Sequence, residues 1–175
     1  MAPRAVTVAT VCTGNICRSP MAEVLLRHYV SADPRLKGRV EVASAGTARW
    51  HVGRPMDPRA RGALDRAGLV GSGTVGAYAD RSFIARHDLI LVMTREHRRE
   101  IYERSGSAAV DVRLWRNLVE PGCELDLADP YYGDDSDFDD CLDVLAQGAP
   151  ALLEDLIERV LFVRRGGKSL PTQTP

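Results

Sequence analysis

Cys12 and Arg18 stand at the two ends of the run Cys12-Thr13-Gly14-Asn15-Ile16-Cys17-Arg18, with five residues between them. That spacing can wrap an oxyanion within reach of a nucleophilic sulfur. The β-rich apolar run from Val6 to Val11 precedes the segment and a helical pattern follows it, so its amides are expected to converge where a strand hands over to a helix N-terminus. A helix N-terminus and a nearby cation both favour the thiolate, the form that attacks. Gly14 and Asn15 tolerate left-handed backbone, which a loop needs to turn successive N–H groups inward. The expected phosphate-binding set is therefore Thr13, Gly14, Asn15, Ile16 and Cys17 with the planar fork of Arg18, which grips two oxygens where Lys would offer a point charge. Ser19 can donate to the sulfur, and Pro20 suits a first helical turn. An isolated Cys at a strand end is usually a small buried hydrophobe, but a plain core strand does not call for Gly-Asn and then Arg-Ser-Pro at these offsets.

A second group of chemistry-bearing residues lies in Asp129-Pro130-Tyr131-Tyr132-Gly133. Displacing a phenol from phosphorus needs a proton donor for the leaving oxygen, and a carboxyl beside an aromatic-lined cleft can supply it. Asp129 is the expected general acid. Pro130 restricts it to extended backbone, and Tyr131 and Tyr132 can wall an aromatic substrate ring. The acidic residues from Asp134 to Asp140 read instead as a helix start favoured by the macrodipole, with Ser136 as cap.

The elements that must hold these groups alternate strand and helix. Met21, Val24, Leu25, His28 and Tyr29 recur at helical spacing up to Asp33-Pro34. A short strand is expected over Arg39 to Ala45, and a helix from Asp57-Pro58 to a stop at Gly68. Leu89 to Met93 reads as a buried central strand, Thr94 as the cap of a polar helix, and Val110 to Leu114 as a fourth strand. Phe138 to about Val163 is expected to form a long helix interrupted near Gly148-Ala149-Pro150. Such alternation gives the α/β class: a single domain with a four-stranded parallel doubly wound sheet, helices on both faces and ligands at the carboxyl ends of the strands. Gly71 to Gly76 reads as a surface loop rather than a dinucleotide fingerprint, and 164–175 as a disordered polar tail.

The ten-residue string from Val11 to Pro20 resembles the phosphate loop of the low-molecular-weight protein tyrosine phosphatases, and Asp129-Pro130-Tyr131-Tyr132-Gly133 resembles their general-acid loop. The resemblance covers about residues 5 to 163, the expected phosphatase domain being 1–163. Ser44-Ala45-Gly46-Thr47 and Trp50-His51-Val52-Gly53 are most similar to bacterial members. It implies that Ser44 joins Asn15 and Ser19 in a network supporting the loop, and that Trp50 walls the cleft opposite Tyr131 and Tyr132. Where family members often carry Met-Asp, this chain has Met93-Thr94 and so lacks a carboxylate there. The implied partners are phosphotyrosine-containing proteins or peptides, with inorganic phosphate as product. The expected mechanism is attack by Cys12, phosphate held by the loop amides and Arg18, and protonation of the leaving oxygen by Asp129. No metal or cofactor is expected, because the amides and Arg18 supply the charge stabilisation.

Composition fits that setting. The chain has 175 residues, 45% hydrophobic, with 23 Lys and Arg against 24 Asp and Glu for a net charge of -1. That balance argues against a nucleic-acid partner. No apolar stretch approaches membrane-spanning length and the start lacks a hydrophobic signal core, so a cytoplasmic monomer away from the membrane is expected. Cys12, Cys17, Cys123 and Cys141 fit no zinc spacing and are expected reduced. Cys17 either packs beneath the loop or traps an oxidised Cys12 as a disulfide. His28, His87 and His97 read as structural or solvated, and His51 as lying near the cleft. The alternatives are an arsenate reductase of related fold, a phosphoarginine phosphatase and a non-catalytic phosphate-binding module. The first lacks a close thiol pair in the C-terminal half, and the last leaves Cys12 and Asp129 unexplained.

Overall fold

The computed structural model describes residues 3–70, 73–106 and 110–167. Its elements run β1 (Val6–Cys12), α1 (Arg18–Ala32), β2 (Val40–Gly46), α2 (Pro58–Arg66), α3 (Arg81–Ala85), β3 (Leu89–Val92), α4 (Arg95–Ser105), β4 (Val112–Leu114), α5 (Arg116–Val119) and α6 (Asp135–Arg164). The four strands form one parallel sheet in the order β2-β1-β3-β4.

A parallel sheet is stable when both faces are covered, and the alternation of side chains along the strands divides the core in two. Val8 and Cys12 of β1 and Leu89 and Leu91 of β3 pack with α1, α2 and α6. Ala9 and Val11 of β1, with Ile90 and Val92 of β3, face Phe83 and Ile84 of α3 and Ile101 of α4. This is the doubly wound architecture expected from the sequence, and β1 ends beside β2 with Cys12 opposite Gly46. Gly46 is demanded there, because a Cβ on it would lie 2.5 Å from the Thr13 carbonyl oxygen.

The helix starts follow local chemistry. The side chains of Asp57, Asp80 and Thr94 accept from the first-turn amides of α2, α3 and α4. Thr94 is the expected cap. The cap of α6 is a correction: Asp134, not Ser136, occupies it, accepting from the Ser136 amide at 2.8 Å while Asp137 accepts from the Asp134 amide at 2.8 Å. This reciprocal pair satisfies two otherwise free donors, and the helix therefore begins three residues before Phe138.

The expected interruption at Gly148-Ala149-Pro150 is also corrected, since α6 runs unbroken through it. Pro150 removes one helical hydrogen bond at a typical cost of about 3 kcal/mol, but Leu145, Ala149 and Leu152 on either side are fully buried and hold the helix in place. Gly148 admits Trp115, whose Nε1 would be 2.8 Å from a Cβ at that position. The segments α3, α5 and the 3-10 turn Pro130–Tyr132 are too short for a periodic pattern to reveal.

Arg164 is the last residue of α6 and Arg165 follows it as cap, so the expected disordered tail does not begin at 164. Residues 168–175 lie outside the described residues, as do 71 and 72 of the expected surface loop. No helix among the described residues is long and apolar enough to cross a membrane.

Candidate active site

The loop between β1 and α1 is held from outside by its carbonyls. The Thr47 and Ala48 amides donate to the Cys12 and Thr13 oxygens at 2.9 Å each, the Asp57 amide donates to the Ile16 oxygen at 2.9 Å, and the Met21 amide to the Cys17 oxygen at 3.1 Å. A peptide whose carbonyl is fixed outward presents its N–H the other way, so the loop amides are free to face an anion.

Asn15 takes the left-handed backbone its position requires, with φ 58°. Its buried side chain ties the loop to three other segments: Nδ2 donates to Ser19 Oγ and Ser44 Oγ at 2.8 Å each, and Oδ1 accepts from the Ala77 amide at 2.8 Å. Ser19 Oγ lies 3.0 Å from Cys12 Sγ. Because it already accepts from Asn15, its single proton goes either to the sulfur or to the Ala45 oxygen, which lies farther off at 3.4 Å. Ser44 in turn donates to Glu23, a buried carboxylate whose proton affinity is raised by burial and lowered by Ser44 and Arg27. Arg27 pairs with Glu23 at 2.5 Å from the protein surface.

Arg18 is 5% exposed and distributes its donors. Nη1 donates to the Leu127 oxygen at 2.9 Å and Nη2 to Asp129 Oδ2 at 2.7 Å. Its Nε is buried without a hydrogen-bond partner. The Leu127 amide donates to the Met93 oxygen at 2.8 Å, which pins the Asp129 segment to the carboxyl end of β3. Asp129 has the extended backbone expected before Pro130, and its Oδ1 accepts from the Tyr131 amide at 3.2 Å.

These groups border one cleft of about 310 Å³. It is lined by Cys12, Thr13, Gly14, Ile16, Cys17 and Arg18 of the loop together with Trp50, His51, Asp129, Tyr131 and Tyr132. The two tyrosines meet edge to face, 5.1 Å between centroids. Tyr132 is 93% exposed and Trp50 77%, so much apolar ring area waits at the mouth. Asn15, Ser19 and Ser44 lie behind the floor rather than in the cleft. The four cysteines are free thiols. Burial, followed by nearby Asp57, pushes the Cys17 thiol up, and burial pushes Cys141 up to about 12, neither being the state of a nucleophile.

Two residues escaped sequence reasoning. Glu23 falls on the apolar side of α1 and shows no local sign of its link to Ser44. His97, read as structural or solvated, is 3% exposed, and its Nε2 lies 2.8 Å from Thr13 Oγ1. The available signal was its place in the first turn of a helix that follows a strand's carboxyl end, where α/β ligand sites form.

Residues 7–161 match the family described as low molecular weight phosphotyrosine protein phosphatase. The chain is 38% identical over 157 residues to a Streptomyces coelicolor low molecular weight protein-tyrosine-phosphatase, covering 87% of this chain and 94% of that one. It is 39% identical over 159 residues to low molecular weight protein-tyrosine phosphatase A of Mycobacterium tuberculosis, covering 87% and 93%. Among solved structures, YfkJ from Bacillus subtilis superposes with a TM-score of 0.81 at 28% identity, covering 90% of this chain and 98% of that one.

Proposed function

The chain belongs to the low molecular weight phosphotyrosine protein phosphatase family, and from that premise we propose that it hydrolyses phosphotyrosine in proteins or peptides through a phosphocysteine intermediate. The observation that carries the reading is Cys12 Sγ, 3.0 Å from Ser19 Oγ, in the floor of a cleft bordered by Arg18 and Asp129.

In the first step the Cys12 thiolate attacks phosphorus, the S–P bond forms and the bond to the tyrosyl oxygen breaks. The loop amides and Arg18 hold the three equatorial oxygens as charge develops on them. Asp129 gives its proton to the departing phenolate oxygen. In the second step Asp129, now a carboxylate, takes a proton from water, whose oxygen attacks phosphorus. The S–P bond breaks, and Cys12 thiolate and inorganic phosphate are released. Ser19 supports both steps by donating to the sulfur when it carries charge.

The cleft's depth and aromatic walls suit a phosphate on an aromatic ring. Cys12 shares the lining with Trp50, Tyr131 and Tyr132, whose rings can pack against a substrate ring. One panel tests this: phosphotyrosine, phosphoserine and phosphoarginine peptides and arsenate, each with the wild-type chain. Turnover of phosphotyrosine well above the others supports the proposal. Preference for phosphoarginine, reduction of arsenate, or phosphate binding without turnover would each replace it.

A further inference from the structure

Thr13 brings to the cleft a hydroxyl that the two-step scheme does not use. The residue is half-buried and borders the same cleft as Cys12 and Arg18, and its Oγ1 stands 2.8 Å from Nε2 of His97. His97 is buried in the first turn of α4, with its amide donating to Thr94 Oγ1 at 3.2 Å. Its other ring nitrogen, Nδ1, is buried without a hydrogen-bond partner.

A neutral imidazole carries one N–H. With the proton on Nδ1, a buried donor would go unmet. With the proton on Nε2 the bond to Thr13 is made and only a lone pair is left bare, and buried unpaired donors are the rarer defect. Burial first, then the neighbouring Arg18 guanidinium, holds His97 down to about 4, against a smaller opposing effect of Asp126, so the ring is neutral around pH 7. The tautomer therefore has Nε2–H donating to Thr13 Oγ1. The hydroxyl's own proton is then left over, on a side chain at the floor of an anion site.

We propose that His97 is a positioning residue that turns the Thr13 hydroxyl into a donor to a phosphoryl oxygen held in the loop, adding a side-chain contact to those of the amides and Arg18. The inference rests on the phosphatase reading only in taking the anion to be a phosphoryl group. The contact is made in the bound ester and persists as phosphorus moves to sulfur, so it acts on affinity more than on the chemical step.

The test measures inorganic phosphate binding by calorimetry alongside KM and kcat for an aryl phosphate, in Thr13→Val, Thr13→Ser, His97→Phe, His97→Gln and the Thr13→Val/His97→Phe double variant. Loss of one hydrogen bond to a charged group weakens binding roughly 10-fold or more. Thr13→Val and His97→Phe are each expected to weaken phosphate by about that factor and raise KM in step, with kcat nearly unchanged. Thr13→Ser should retain the affinity and His97→Gln should restore part of it. The double variant should bind no more weakly than Thr13→Val alone, because both remove one contact. Wild-type phosphate affinity in Thr13→Val, which replaces a half-buried side chain by one of the same shape, would overturn the inference even if His97→Phe failed to fold. Multiplying losses in the double variant would overturn it as well. Because calorimetry needs no turnover, a chain that binds phosphate with this pattern yet leaves phosphotyrosine intact would overturn the phosphatase reading alone.

Discussion

Asp129 and Arg18 are paired at 2.7 Å across the mouth of the loop, one 42% exposed and the other 5%. The proposed acid and the proposed phosphate fork thus occupy each other in the free protein. A phosphate ester arriving at the loop competes with Asp129 for Arg18 and leaves the carboxyl beside the bound anion.

Asp129→Asn is accordingly expected to slow phosphotyrosine by roughly 10²–10⁴-fold, the usual worth of a general acid. Activated aryl esters, whose phenolates leave unaided, should lose far less. Freed of its partner, Arg18 should bind inorganic phosphate more tightly than in the wild type. A leaving-group series checks the assignment: a Brønsted slope unchanged from the wild type would remove Asp129 as the acid.

Cys12→Ser should abolish turnover of aryl phosphates while phosphate or vanadate still binds, since the amides and Arg18 remain. Residual turnover of roughly a tenth of wild type would exclude Cys12 as nucleophile. Arg18→Lys should be nearly as damaging, because the point charge cannot reproduce a planar fork. Steady-state kinetics with a binding isotherm reads both.

Asn15 separates backbone from network. Asn15→Ala removes three hydrogen bonds and puts at φ 58° a residue that tolerates left-handed backbone less well than Asn, for an expected loss of about 2–4 kcal/mol. Asn15→Gly keeps the backbone and loses only the bonds, so it should be less destabilised yet still impaired in turnover. Denaturant melts and kcat together decide. Full activity in Asn15→Gly would mean that the network does not hold the loop.

His97 makes stability depend on pH. Its folded value of about 4 lies below the roughly 6.5 of an unfolded histidine. Between these values the unfolded chain binds a proton that the folded chain does not, so stability from this group is complete above about pH 6.5 and falls as pH drops towards 4, by on the order of 3 kcal/mol. Unfolding curves for the wild type and His97→Gln across that window should converge as the pH falls. Parallel curves would show that His97 does not titrate there.

Gly148→Ala places a methyl 2.8 Å from Trp115 Nε1 and 3.2 Å from Leu118 Cβ. Overpacking of this kind typically costs about 1–3 kcal/mol, visible as a Tm lower by several degrees. Because the contact lies between α5 and α6, KM for the folded fraction should be unchanged.

The parts of the site legible in the sequence were those whose signal is local. Cys12 and Arg18 sit at a fixed spacing beside a strand end, and Asp129 precedes a proline that fixes its backbone. The sheet was legible for the same reason, since a run as short and apolar as Leu89 to Val92 favours a buried strand. Glu23 and His97 carry no such mark, because their significance depends on Ser44 and Thr13, which folding brings to them from distant positions. Among the helix boundaries, Asp134 displaced Ser136 because a reciprocal bond with Asp137 is stronger than a single cap. Pro150 failed to break α6 because burial on both sides outweighs one missing bond. Neither balance can be read from residue preference alone.

Apart from that of Met21, the amides that fix the loop carbonyls come from Thr47, Ala48 and Asp57, and the one that steadies Asn15 comes from Ala77. A chain emerging from the ribosome therefore completes the whole ten-residue motif well before it has the means to shape it. A chain cut before β2 would therefore carry the motif without the hydrogen bonds that shape its loop.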